Sequence, residues 1–485
     1  MYAEVLGGLM AEIVTSGYDY SAILQPYMPV FYVSFLATLT LTPLMQVLAH
    51  RHGVVDSPDG KRKVHTKPIA YLGGVSIFLG WLAGVTLAVF LRPHNYEQIV
   101  RNTIEIPPGV VLGAATVVLF GLMDDVFSLS PKFKLLGQFL AALLLVLPGL
   151  LPGVMAGSDF FLGTEMRVGN AGSQTAMHFG PAWMIINPLK DHGIVPMSWV
   201  SSEWFVALAG GLSAVTVIAV VMATCNATNL LDGLDGLCSG VTGVMSVGYL
   251  ILAVYLAHSY VPTAVAQPID PTRITLSLAL LGAVLGFLPF NFNPASIFMG
   301  DTGSMFLGYI CGTMILLFGQ HGTAKWFLSA IIIFGLPMMD TFLAIVRRKL
   351  NKKRIFAADS NHFHHFLIKR GMSVRRAVVL SYGIAALFVS FGLVIVIMPT
   401  SLAIGIYLVL FAWIVVVAFK IGMIFESRPS MTTNSELNLS VVAPLAAPKE
   451  KVVEQREKGP EELKEGPGVP KESDSATGKE AKSAA

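Results

Sequence analysis

The sequence predicts an all-α, polytopic integral membrane protein of about eleven transmembrane helices. Three observations carry that reading. Of the 485 residues, 54% are hydrophobic and only 13% are charged, against roughly 25% charged in a soluble domain. Apolar stretches recur along most of the chain, each near the roughly 20 residues that cross a bilayer core. The charged residues fall between those stretches and rarely inside them. The net charge of +3 says little, because the placement of charge matters more than its sum, and nothing in it points to nucleic acid.

Taken in order, the spans are 27–49, 71–91, 108–123, 134–151, 204–224, 237–257, 274–292, 303–320, 326–346, 377–397 and 400–423. Several are short or rich in Gly and Pro, which is tolerated where neighbouring helices re-satisfy the backbone. Residues 1–26 lack the basic start of a signal peptide and read as an extracytosolic leader. The transmembrane domain is then 27–424, with an extracytosolic insert at 152–203. The tail, 425–485, is rich in Glu, Lys, Pro and Ser and has no aromatic residue from 429 on. It cannot bury enough apolar surface to fold and is read as disordered and cytosolic. Cys225, Cys238 and Cys311 have no paired spacing and read as reduced, buried thiols.

Lys and Arg in the loops set the orientation. With the loop after the first span taken as cytosolic, that side holds seventeen Lys and Arg against six on the other. The acids cluster at span ends, and every cluster then faces the cytosol. Asp124 and Asp125 close the third span, with Lys132 and Lys134 following. "CNATNLLDGLDGLCSG" brings Asn226, Asn229, Asp232 and Asp235 after the fifth span. "NFNPASIFMGDTGS" sets Asp301 between glycines at the start of a helix, where an anion is favoured. "SNHFHHFLIKRG" (360–371) brings His362, His364 and His365 beside a basic run. Asp340 is the acid nearest to mid-membrane.

Each cluster has a bland reading. Asp-Asp at a helix end can be a cap, "DGLDG" a turn, "GDTGS" a helix start, and HxHH a solvated loop. Four such loops on one face of a chain poor in charge are harder to dismiss. Converging carboxylates suit Mg²⁺, a hard cation that also holds phosphate oxygens, with Mn²⁺ as a substitute. Zinc is the rival because of the histidines, but the acids outnumber them and no HExxH occurs.

Together "DDVFSLSPKFKLLGQ", "NATNLLDGLDGL", "NPASIFMGDTGS" and "HFHHFLIKRG" resemble the signature loops of the polyprenyl-phosphate N-acetylhexosamine-1-phosphate transferases, glycosyltransferase family 4. The resemblance covers about 27–424. It implies an enzyme that moves a sugar-1-phosphate from a UDP-sugar to a polyprenyl phosphate in the plasma membrane and releases UMP, starting a lipid-linked cell-wall or surface glycan. It implies that Asp301 and Asp232 ligate Mg²⁺, and that Asp124, Asp125, Asp232, His362, His364 and His365 serve catalysis. Lys132, Asn226, Asn229, Asp235, Asn291 and Phe298 would bind substrate, with Phe298 and Asp235 by the uracil. A homodimer is a further expectation.

One departure stands out: the third acid of a DDxxD pattern is replaced by Ser128. HxHH, rather than three consecutive histidines, resembles the branch that transfers GlcNAc-1-phosphate; the alternative is a phospho-MurNAc-pentapeptide transferase. A one-step transfer and a route through an aspartyl intermediate both stay open. A transporter predicts mid-span charges and a repeat between halves, and neither is present. An intramembrane prenyltransferase would use Asp-rich loops without the histidines.

Overall fold

The computed structural model describes residues 20–56, 68–90, 106–146, 165–168, 175–178, 193–200, 202–259, 270–319, 324–352 and 362–420, with scattered positions between 182 and 189. The leader before residue 20, most of the insert and the tail after 420 lie outside the described residues. The chain divides into Met1–Ser427 and Arg428–Ala485, and the described residues all belong to the first unit.

The described chain is almost wholly helical. Besides short helical turns at Tyr20–Leu24, Gln25–Tyr27 and Met197–Val200, it comprises in order α1 (Met28–His52), β1 (Val55–Asp56), β2 (Ile69–Ala70), α2 (Gly73–Phe90), α3 (Pro108–Phe127), α4 (Pro131–Val146), β3 (Glu165–Val168), β4 (Thr175–His178), α5 (Glu203–Leu231), α6 (Leu237–Ser259), α7 (Asp270–Asn291), α8 (Gly300–Phe318), α9 (Ala324–Ile333), α10 (Gly335–Leu350), α11 (Phe363–Lys369), α12 (Val374–Ile397) and α13 (Thr400–Lys420). The short pairs β1–β2 and β3–β4 are antiparallel, and the sequence predicts neither.

Eight of these helices are long and apolar enough to cross a membrane, and a ninth span results if α9 and α10 count as one. The protein is thus a multi-pass membrane protein, with fewer qualifying spans among the described residues than the eleven expected. The predicted 134–151 span appears as α4, only 16 residues long and opening on two lysines. The predicted 326–346 span is broken, with α9 and α10 meeting at 78°. Pro337 lies in the first turn of α10, where a missing amide costs no hydrogen bond and a helix can restart.

On α1 the packing follows membrane rules, with mostly small or polar side chains inward and large apolar ones outward. Its buried positions are Val30, Ser34, Thr38, Thr42 and Ala49, while Leu36, Leu44 and Val47 are exposed. α1 packs on α2 and α7, and α8 packs on α2, α3 and α5. Every residue of α8 except Asp301 is buried. At the far end of α8 the buried Arg273 donates to the Leu317 carbonyl and pairs with Asp270 at 2.7 Å. The central helix therefore carries an acid at its N-terminus and a cation at its C-terminus, as its dipole favours.

Candidate active site

The site is built on the two termini that meet where α3 ends and α8 begins. α3 stops because Ser128 takes a left-handed backbone, φ 51°, and its amide donates to the Asp124 carbonyl. The position that departs from DDxxD is thus a helix C-cap. Gly121 lies against Thr302, where an added Cβ would come 2.5 Å from the Thr302 Cα. α3 and α8 can approach this closely only without a side chain there.

That approach gives the neighbours Asp124 and Asp125 different work. Asp125 accepts from the Asp301 amide at 2.8 Å, the Thr302 amide at 3.0 Å and the Thr302 hydroxyl at 2.6 Å. It caps α8 from another helix, satisfying amides that an α-helix leaves unpaired. Asp124 faces Lys134 on α4, whose Nζ stands 2.7 Å from Asp124 Oδ2 and also bridges to Asp301 Oδ2. Asp301 Oδ1 accepts from Asn229 Nδ2 at 2.8 Å, and the same amide group reaches Ser304 Oγ at 2.9 Å. Ligand atoms of Asp124, Asp125 and Asp301 lie within 4.8 Å of one another.

The residues present fit a divalent cation. Asp124 Oδ1 is buried and has no hydrogen-bond partner among the described residues, which leaves a carboxylate oxygen open to a ligand. Asp232, expected as a ligand, caps the C-terminus of α5. It lies outside the close group of three but within electrostatic reach. Burial first, then the charges of Asp301, Asp125 and Asp235, push its carboxyl up to about 8.

The loop after Asp232 meets the histidines. His364 is 1% exposed, and neither ring nitrogen has a hydrogen-bond partner among the described residues. Its Nε2 sits 2.1 Å from where a Cβ on Gly233 would be. Burial, then the neighbouring His365, lowers its pKa to about 3, so the ring is neutral near pH 7. The His362 and His364 rings lie parallel, 5.8 Å apart, and His365 is 4.3 Å from His364.

The other expected residues spread around this centre. Asn226 donates to Gln138 Oε1 at 2.7 Å. Asp235 accepts from Asn293 Nδ2 and the Ala295 amide. Asn291 is buried, and its carbonyl oxygen accepts from the Gly236 amide and Ser239 Oγ. That network braces the glycine turn. Phe298 stands edge-on to Tyr71, 5.8 Å between rings. Lys132 is exposed, and the lysine inside the carboxylate group is Lys134.

A family description, Glycosyl transferase family 4, matches residues 108–319. Over 404 residues the chain is 33% identical to a Bacillus subtilis (strain 168) protein named a probable undecaprenyl-phosphate N-acetylglucosaminyl 1-phosphate transferase, covering 83% of this chain and 94% of that protein. The chain belongs to glycosyltransferase family 4. It is also 30% identical to the decaprenyl-phosphate N-acetylglucosaminephosphotransferase of Mycolicibacterium smegmatis, over 72% of this chain and 76% of that one. A phospho-N-acetylmuramoyl-pentapeptide-transferase of Bifidobacterium adolescentis is 31% identical over 75% of this chain and 94% of its own length.

Three further residues belong to this candidate site, Lys134, Thr302 and Tyr71, and the sequence reading assigns a role to none of them. Lys134 shares the buried face of α4 with Gln138, Ala141 and Leu145, a helical spacing that singles it out from Lys132. Thr302, next to Asp301, supplies the hydroxyl that Asp125 holds. Tyr71 reaches the site because β2 leads into α2. Burial, then the charges of Asp56, Asp125, Asp232 and Asp301, raise its phenol and keep it protonated.

Proposed function

We propose that the protein transfers GlcNAc-1-phosphate from UDP-GlcNAc to a polyprenyl phosphate at the cytosolic face of the plasma membrane, releasing UMP. The carrying observation is the Asp124–Lys134–Asp301 group at the ends of membrane helices, beside the histidine-covered Gly233 turn. The relatives' names supply the substrate class. The excess of Lys and Arg on one side supports the cytosolic placement.

In this reading a phosphate oxygen of the lipid attacks the sugar-bearing β-phosphorus. The bond from that phosphorus to the bridging oxygen breaks, and the oxygen leaves on UMP. Asp124 and Asp301 would hold Mg²⁺, which when bound offsets charge on the diphosphate. Lys134 supplies a fixed cation beside the same oxygens, and Asn229 holds Asp301 in its orientation. Asp125 keeps the start of α8 in place, with Asp301 in its first turn. The neutral His364 and its neighbours border the diphosphate and sugar, where a ring nitrogen can donate or accept without burying a second charge.

The test is UMP release by the purified protein with UDP-GlcNAc, undecaprenyl phosphate and Mg²⁺. Release with UDP-MurNAc-pentapeptide and none with UDP-GlcNAc would replace the sugar assignment by the alternative.

A further inference from the structure

Asp340 has no part in the carboxylate group, yet both of its oxygens are engaged. It stands in α10 just past the bend and is 2% exposed. Oδ2 lies 3.0 Å from His362 Nδ1, and Oδ1 accepts from the Phe363 amide at 2.8 Å. His362 is the N-cap residue of α11, with extended backbone and no cap from its own side chain. The cap comes instead from Asp340, on a different helix. A seven-residue helix does not persist alone in water, so its place depends on such anchors.

We propose that Asp340 is a positioning residue that fixes both the seat of the histidine helix and the tautomer of His362. A carboxylate only accepts, so His362 Nδ1 must carry the hydrogen, whether the ring is neutral or protonated. Nε2 is then the nitrogen left to act on another group. The Phe363 bond sets the start of α11, and in that first turn the His364 ring lies over Gly233. Asp340 thereby holds two histidines at the Asp232 turn, as a carboxylate behind a ligating histidine sets its ring elsewhere. That these histidines serve phosphoryl transfer rests on the function proposed above; the anchoring does not.

Asp340→Asn separates the two tasks. Its carbonyl oxygen can still accept from the Phe363 amide, but its NH₂ presents a donor to His362 and favours the opposite tautomer. The expected result is a kcat for UMP release lowered about 10- to 100-fold, the range seen when such orienting partners are removed, with KM for UDP-GlcNAc and the thermal midpoint little changed. Nitrogen-15 NMR of histidine-labelled protein in bilayers, with His362 assigned by its absence in His362→Gln, should show Nδ1–H in the parent and Nε2–H in Asp340→Asn. An Nε2–H ring in the parent, or Asp340→Asn with unchanged kcat, overturns the proposal. If the parent releases no UMP, the transferase reading falls on its own, and the NMR result still decides whether Asp340 sets His362.

Discussion

Asp125 Oδ2 accepts from both the amide and the hydroxyl of Thr302, at 3.0 and 2.6 Å, so one carboxylate oxygen ties the end of α3 to the start of α8. Its neighbour Asp124 instead keeps Oδ1 buried with no hydrogen-bond partner among the described residues. Adjacent acids thus divide into a brace and, in the function proposed above, a group that serves the reaction. Asp125→Ala is expected to cost about 1–2 kcal/mol, the value of a lost cap, read as a lower thermal midpoint in detergent. Asp124→Asn should leave that midpoint nearly unchanged while UMP release collapses. Equal stability loss in the two variants would contradict the division.

The two lysines of α4 should differ as sharply. Lys134→Met leaves Asp124 and Asp301 facing each other without their shared cation. Breaking a fully buried pair costs about 3–5 kcal/mol; with the Lys134 side chain 28% exposed, the loss should be smaller. Activity should fall to near background. Lys132→Met, at an exposed position, should alter neither stability nor turnover by comparison. A Lys132→Met enzyme as impaired as Lys134→Met would return the substrate-binding role expected from the sequence to Lys132.

Gly233 is small because His364 occupies the space where its side chain would be. Gly233→Ala must push the ring aside, an overpacking cost of about 1–3 kcal/mol. His364→Ala removes the obstacle, so Gly233→Ala should cost much less in that background. The double-mutant cycle on thermal stability measures the coupling, and additive effects would show that the two groups do not meet.

Acid should destabilise the protein through His364. Its folded pKa, lowered to about 3, lies below the roughly 6.5 of a free histidine. The unfolded chain therefore binds a proton that the folded one refuses. The neutral ring carries no penalty above pH 6.5, and stability is lost as pH falls from there toward 3. Linkage puts the loss at pH 5 at about 2 kcal/mol. His364→Gln should remove that part of the slope; an unchanged slope would place the acid sensitivity elsewhere.

Much of the fold and the site is legible in the chain itself. Ionisable residues are so scarce among the apolar runs that Asp124, Asp125, Asp232, Asp301 and the histidines stand out by position alone. Hydropathy marks the helices for the same reason. What it cannot mark is direction. Asp124 and Asp125 are adjacent, and about 100° of helical turn sends one to a cap and the other to the site. Lys132 and Lys134 are equally basic in one dimension, and only the buried face of α4 tells them apart. Asp340 reads as an oddity until α11 folds back and brings His362 to it. The break at Phe334 has a signal in the following Gly335 and Pro337, but an apolar count passes over it.

The most direct test of the central claim pairs the parent with Asp301→Asn in one assay of UMP release, using UDP-GlcNAc, undecaprenyl phosphate and Mg²⁺. The account predicts Mg²⁺-dependent UMP formation by the parent and its loss in Asp301→Asn, with the fold retained. UMP release that survives Asp301→Asn undiminished, or a folded parent that releases none, would contradict it.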